Sequence, residues 1–174
     1  KKAKELGLDN QVSFKLADYR EIMGKYDRIY SVGMFEHVGQ KNYRTYFAKA
    51  RSLLKDQGLF LLHTIGAGRE GFATDRWIEK YIFPNGVLPP ADALAKTAGE
   101  FFTIEDWHNF GADYDPTLMA WYKNFNRSWI DLRTSYSDWF KRMFDYYLLV
   151  SAGSFRSREN HLWQLVLSAG GIAG

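Results

Sequence analysis

The chain has 174 residues, 46% of them hydrophobic, and a formal charge of +3, which gives apolar material for one sizeable core and too little basic excess to point to nucleic acid. It contains no cysteine, which excludes disulfides, thiolate metal sites and a cysteine nucleophile within these residues. No apolar run reaches the roughly 18 residues that span a bilayer, and "KKAKELGLDNQVSF" lacks a signal-peptide core, so the sequence points to a single soluble, cytoplasmic domain, with contact at a membrane surface still open to it.

Residues 1–8 read as the end of a helix closed by Gly7, and "QVSFKL" alternates Val12, Phe14 and Leu16 as a strand does. "YDRIYSVG" is a second strand, ending at Gly33. From Lys41 to Leu54, Tyr43, Tyr46, Phe47, Ala50, Leu53 and Leu54 fall on one stripe of an amphipathic helix. Gly58 follows, and "LFLLHTI" is a continuous apolar run of the kind strands show when both sheet faces are covered. Strand, helix and strand at these lengths describe a βαβ unit and a parallel sheet, whose ligands bind beyond the carboxyl ends of the strands. Residues 66–99 are rich in Gly and Pro, with a turn at Pro84, Asn85 and Gly86, and so long a connection suits a lid or binding loop. "EFFTIEDW" reads as a further strand, helices are expected from Pro116 and from Ser137, and "HLWQLVLS" closes as a strand beside the core sheet. Aromatic residues make up 17% of the chain; they suit a core of large side chains or, in part, a pocket of aromatic faces.

The segment "SVGMFEHVGQKNY" puts Glu36 beside His37 just after a strand. A carboxylate there is accounted for by a helix dipole, yet Glu36 and His63 both fall at strand ends on the ligand-binding edge, where together they could hold a small polar species. His63 among apolar neighbours also fits a core residue; the face of His37 is unassigned, and His108 and His161 look like turn or edge residues. None of the compact metal spacings such as H-E-x-x-H is present, nor a G-x-S-x-G elbow, so neither a metal nor a serine triad is expected. Asp115 as N-cap with Pro116 at the first helical position accounts for both, leaving Tyr114 with an O–H that can donate to an anion.

"YDRIYSVGMFEHVGQKNYRTYF", "GLFLLHTIG", "WIEKYIFPNGVLP", "EDWHNFGADYDPTLMAWY" and "FKRMFDYYL" together resemble the catalytic domain of the cyclopropane-fatty-acyl-phospholipid synthases, and more distantly the mycolic acid cyclopropane synthases. The resemblance implies an α/β class I methyltransferase (Rossmann-like) fold. It further implies a mostly parallel sheet with helices on both faces, and a helical or loop insertion over the active site. Residues 1–174 would be a partial catalytic domain, lacking the cofactor's glycine-rich loop and the first two strands, and would bind S-adenosylmethionine poorly alone. The implied reaction transfers a methylene from S-adenosylmethionine to the cis double bond of a membrane phospholipid's acyl chain. Bicarbonate would be the base, held by Glu36, His63, the backbone at Ile65, and Tyr114. A further family ligand, a cysteine, would fall before Lys1. Asp18, Tyr19 and Arg20 would lie near the cofactor's adenine, with Val32 in the same cofactor site. The expected partner is unsaturated phospholipid met peripherally at the inner face of the membrane, with a homodimer allowed in the full-length protein. A methyltransferase without ring closure and a non-catalytic lipid-binding module are the alternatives. On this view Glu36 pairs with His63 and not with His37.

Overall fold

A computed structural model of the chain describes residues 1–68 and 75–172. A short helix, α1 (Lys2–Glu5), gives way at Gly7, whose φ of +65° is a left-handed turn that favours glycine. The expected strand over Val12–Leu16 does not form. Phe14 is 85% exposed and Leu16 fully so, because the alternating pattern finds no strand edge to pair with and no face to bury among the described residues. The first strand of the sheet is β1 (Tyr26–Val32), followed by two single-turn 3-10 segments, Phe35–His37 and Gln40–Asn42, then α2 (Tyr43–Leu53) and β2 (Leu54–Ala67).

Two helices occupy the described part of the long connection, α3 (Arg76–Tyr81) and α4 (Ala91–Gly99); residues 69–74 of it lie outside the described residues. Asp75 accepts hydrogen bonds from the N–H groups of Trp77 and Ile78 at 2.9 and 3.0 Å, capping α3. After β3 (Thr103–Asn109) come two long helices, α5 (Gly111–Leu132) and α6 (Asp138–Arg156), and then β4 (Asn160–Ser168). Ser137 caps α6 as its sequence position suggested, its hydroxyl accepting from Phe140 N–H at 3.2 Å.

The start of α5 differs from the expectation. The helix begins at Gly111, whose N–H donates to the Asn109 side chain at 2.9 Å, so Asn109 satisfies the first turn and Pro116 lies inside the helix. Asp115 is therefore not the N-cap; its carboxylate takes a two-pronged bond from the Arg156 guanidinium at 2.8 and 2.9 Å, which draws its pKa down.

The four strands form one mixed sheet in the order β1-β2-β4-β3. β1 and β2 are parallel, as a βαβ unit requires, while β4 runs antiparallel to both β2 and β3. Side-chain alternation then separates two cores. Phe60 and Leu62 of β2 and Trp163, Leu165 and Leu167 of β4 pack with α2 and α4. Leu162 and Ile65 instead join Leu118, Leu148, Ala152 and Phe155 of α5 and α6. Helices thus cover both faces. Aromatic rings fill the first core: Phe35 stacks on Tyr43 with centroids 4.4 Å apart and meets Tyr46 and Phe47 at 5.0 and 5.5 Å. No described helix is long and apolar enough to cross a membrane.

Candidate active site

Gly33 ends β1 with φ +63°, and its N–H donates to the His63 carbonyl at 3.1 Å. This left-handed residue bends the chain off the strand, so the following 3-10 turn lies beside the end of β2. Phe35, fully buried in the aromatic core, anchors that turn. Its neighbour Glu36 is carried inward and is only 8% exposed. The turn lies upstream of α2, so stabilisation by that helix's dipole, which fades within one turn, does not account for Glu36.

One oxygen of Glu36 is committed and the other is not. Oε1 accepts the Ile65 N–H at 2.7 Å, and the Glu36 carbonyl accepts Val87 N–H at 2.8 Å, which ties the turn to the segment leading into α4. Oε2 is buried with no hydrogen-bond partner. A buried carboxylate oxygen left unpaired is destabilising by about 1 to 3 kcal/mol or more, which marks a place where a donor fits.

The tyrosines around it register that charge. Tyr114 lies in the first turns of α5 against Phe155 and Trp121, with centroids at 4.9 and 5.8 Å, and packs on the same core cluster as Ile65. Burial raises its pKa, and the charge of Glu36 raises it further, so it remains a neutral O–H donor. Tyr43 is pushed up to about 12 by burial and then by Glu36, and Tyr46 is raised chiefly by burial. The Tyr43 hydroxyl is, like Glu36 Oε2, buried without a partner, while the buried hydroxyls of Tyr46 and Ser31 lie beside each other, and Ser31 offsets part of the rise in the Tyr46 pKa.

His63 pairs with Val32 across β1 and with Gln164 across β4. By strand alternation it shares a face of β2 with Ile65. Its Nδ1 lies 2.9 Å from Gln164 Nε2. His37, in contrast, is exposed and meets Phe83 edge-on at 6.4 Å, so adjacency to Glu36 in sequence produces no pair. His108 lies against Phe110 at 3.9 Å, and His161 takes the Asn109 amide at 2.8 Å while stacking on Trp163.

Of the residues singled out for the anion, Glu36 and Ile65 are directly bonded, Tyr114 senses Glu36, and His63 sits two residues before Ile65 on β2. Of the residues singled out for the cofactor, Val32 is level with His63 on the neighbouring strand, and Asp18, Tyr19 and Arg20 precede β1. Asp18 accepts from the Arg20 backbone at 2.9 Å and from its guanidinium at 2.6 to 3.1 Å, which lowers the Asp18 pKa to about 2. Tyr19 rests edge-on against Tyr46 at 5.7 Å, and Val32 is exposed at the carboxyl end of β1. Tyr43, Tyr46 and Gln164 were not found from sequence. Tyr43 and Tyr46 lie on the apolar stripe of α2, and Gln164 is one polar residue within "LWQLVL", the one local signal it offers.

Among the described residues, a surface hollow of about 550 Å³ is walled by Asp27, Arg28, Lys55, Asp56 and Gln57 at the start of β1 and β2, away from these residues. Another, of about 310 Å³, runs between α3 and α6 and is lined by Trp77, Tyr81, Trp139, Arg142, Met143 and Tyr146.

A sequence model of the mycolic acid cyclopropane synthetase family matches residues 1–165. The cyclopropane-fatty-acyl-phospholipid synthase of Escherichia coli K12 is 56% identical over 164 residues, covering 94% of this chain and 42% of that enzyme. The chain thus spans less than half the length of that relative. Its fold matches that of the cyclopropane synthase MmaA2 from Mycobacterium tuberculosis at a TM-score of 0.82, with 23% identity over 95% of this chain and 65% of the other. It also matches the mycolic acid cyclopropane synthase CmaA1, solved with SAH and CTAB, at a TM-score of 0.80, with 26% identity over 88% of this chain and 59% of the other.

Proposed function

Because the chain belongs to the mycolic acid cyclopropane synthetase family, we propose that the whole enzyme transfers a methylene group from S-adenosylmethionine to the cis double bond of an unsaturated acyl chain in a membrane phospholipid, closing a cyclopropane ring. The observation that carries the site is Glu36, buried at a strand end with Oε2 unpartnered. When bound, S-adenosylmethionine supplies an electrophilic methyl on a sulfonium, and bicarbonate supplies a base for the proton that this methyl loses on ring closure.

The residues present fit a small protonated anion. Glu36 Oε2 can accept its O–H, while Tyr114 and His63 can donate to its remaining oxygens. Ile65 acts through its N–H, which holds Glu36 Oε1 and so aims Oε2. Tyr114, packed on the buried ring of Phe155, brings an apolar aromatic face to the site, which disfavours the water that would intercept a developing cation and tolerates positive charge. Asp18, Tyr19, Arg20 and Val32 are the proposed cofactor contacts, supported by the place of Val32 beyond the carboxyl end of β1.

A bilayer at the inner face of the membrane is the proposed partner. The groove of Trp77, Tyr81, Trp139 and Tyr146 around Arg142 supports it, since indole and phenol rings with a guanidinium suit the headgroup layer. Phe83 and Tyr147, with centroids 5.9 Å apart, continue the aromatic surface, and burial raises the Tyr147 pKa. A homodimer of the full-length protein is compatible with this arrangement.

The test incubates the full-length protein with unsaturated phospholipid vesicles, S-adenosylmethionine and bicarbonate. Gain of one CH₂ with loss of the double bond is expected. A product that keeps an alkene makes this a methyltransferase without ring closure, and vesicle binding without any mass gain makes it a lipid-binding module.

A further inference from the structure

We propose that Gln164 is a positioning residue that holds neutral His63 in the tautomer with its proton on Nε2, so that the ring presents a donor to the anion. The anion part of this rests on the proposed role of His63; the tautomer part does not.

His63 is held from both sides, by Val32 in β1 and by Gln164 in β4, and its carbonyl receives Gly33 N–H at 3.1 Å. Residues directly opposite in an antiparallel pair project from the same face, so the register alone brings the Gln164 amide to the imidazole. The two meet at 2.9 Å, Nε2 to Nδ1, in a partly buried setting. With the amide in this orientation its nitrogen donates and offers no lone pair, so Nδ1 accepts. A neutral imidazole that accepts at Nδ1 carries its proton on Nε2.

That choice decides the polarity of the site. With Nε2–H, the proposed site has two donors, His63 and the Tyr114 O–H, and one acceptor, Glu36 Oε2, a set complementary to an anion that keeps a single O–H. With the opposite tautomer a lone pair on Nε2 would face an anion oxygen, and the contact would repel. Position 164 also needs a neutral group, because a carboxylate there would accept from Nδ1–H and reverse the ring. On its own face of β4 Gln164 lies between Leu162, which is buried, and Val166, so an amide in that row calls for a polar explanation, and His63 provides it. An internal comparison exists at the other end of β4. There the Asn109 amide nitrogen contacts His161 Nδ1 at 2.8 Å, and its orientation is fixed independently because Asn109 Oδ1 accepts Gly111 N–H.

The experiment labels histidine with ¹⁵N in the full-length protein and reads imidazole tautomers by NMR, identifying the His63 signal by its loss in His63→Asn. His63 and His161 should both show Nε2–H. In Gln164→Met the His63 tautomers should mix while His161 stays unchanged, and in Gln164→Glu the His63 proton should move to Nδ1. Bicarbonate affinity should fall about tenfold in both variants, with affinity for S-adenosylmethionine unchanged. Nδ1–H on His63 in the unsubstituted protein overturns the proposal, a measurement that stands even if a variant fails to fold. So does an unshifted Nε2–H in a folded Gln164→Met. A tautomer shift with unchanged bicarbonate affinity overturns the anion role of His63 while leaving the Gln164 contact in place.

Discussion

Glu36→Gln should make the protein more stable and less active. The substitution keeps the shape of the side chain and the acceptor for Ile65 N–H, now 2.7 Å from Oε1. It changes the other atom, replacing an unpartnered buried oxygen with an NH₂ group. Relieving an unsatisfied buried acceptor is worth about 1 to 3 kcal/mol. The unpartnered hydroxyl oxygen of Tyr43, which senses the Glu36 charge, offers an acceptor for the new amide. Removing the acceptor that would hold the anion's O–H should lower turnover by about 10² to 10³, the usual effect of deleting one preorganised electrostatic contact. The two effects separate in a thermal melt of the full-length protein with and without bicarbonate. The unsubstituted protein should gain about 2.7 kcal/mol at a bicarbonate concentration 100 times its Kd, and Glu36→Gln should gain nothing. If the variant is destabilised by about 1 kcal/mol or more, or retains the bicarbonate-dependent gain, then Oε2 is not the free acceptor of an anion site.

Gly66 lies so close to Trp163 that a Cβ would meet the ring at 2.0 Å, so Gly66→Ala should destabilise by about 1 to 3 kcal/mol in urea melts, and a neutral result would show that Trp163 can swing away. Tyr43→Phe should leave stability at pH 7 unchanged or raise it by up to about 1 kcal/mol, since it deletes a buried hydroxyl without a partner; a loss of similar size would show that the hydroxyl is bonded. The same variant has a pH signature: with the folded phenol at about 12 and the unfolded one near 10.0, the stabilising contribution is complete below pH 10 and is lost as pH rises toward 12. Tyr43→Phe should therefore blunt alkaline unfolding across that window, as followed by circular dichroism. Replacing Trp139 and Tyr146 by Ala should weaken sedimentation with phospholipid vesicles about tenfold or more while leaving bicarbonate stabilisation intact, and unchanged sedimentation would remove the α3–α6 groove as the bilayer contact.

The parts of the fold that could be read in advance are those in which side-chain period alone decides. The α2 stripe, the apolar run of β2, the strand β4 and the Ser137 cap all depend on neighbours within a few residues. The same local rules mislead where the outcome depends on partners. Val12, Phe14 and Leu16 alternate as a strand does, yet no described strand pairs with them. Asp115 before Pro116 has the form of a helix start, but Asn109 begins the helix earlier and Arg156, 41 residues on, takes the carboxylate. That Glu36 and His63 come near one another at the carboxyl end of β1 was legible, because the parallel β1–β2 pair sets His63 level with Val32, but His63 is not at a strand end as expected, since β2 runs on to Ala67. That Oε1 bonds Ile65 N–H, 29 residues away, was not legible, since it depends on how far Gly33 swings the 3-10 turn toward β2.

The division of labour between strand and turn explains why the acceptor is the vulnerable half of the site. His63 is fixed by strand pairing on both sides and Ile65 by its pairing with Leu162 of β4, frames that would survive most changes to the site. Glu36 has no such frame. It is placed by a left-handed glycine, by the packing of Phe35 and by bonds to Ile65 and Val87, and it holds an unsatisfied oxygen that favours moving away. A contact that is unfavourable without ligand and favourable with it is one that ligand binding can use, which is why stability and activity are expected to move in opposite directions at this one residue. If substitutions at Ile65 or Val87 that loosen the turn proved harmless to bicarbonate binding while Glu36→Gln abolished it, the placement of Oε2 would be set by Phe35 packing alone, and the hydrogen bond to Ile65 would be a consequence of the site and not its cause.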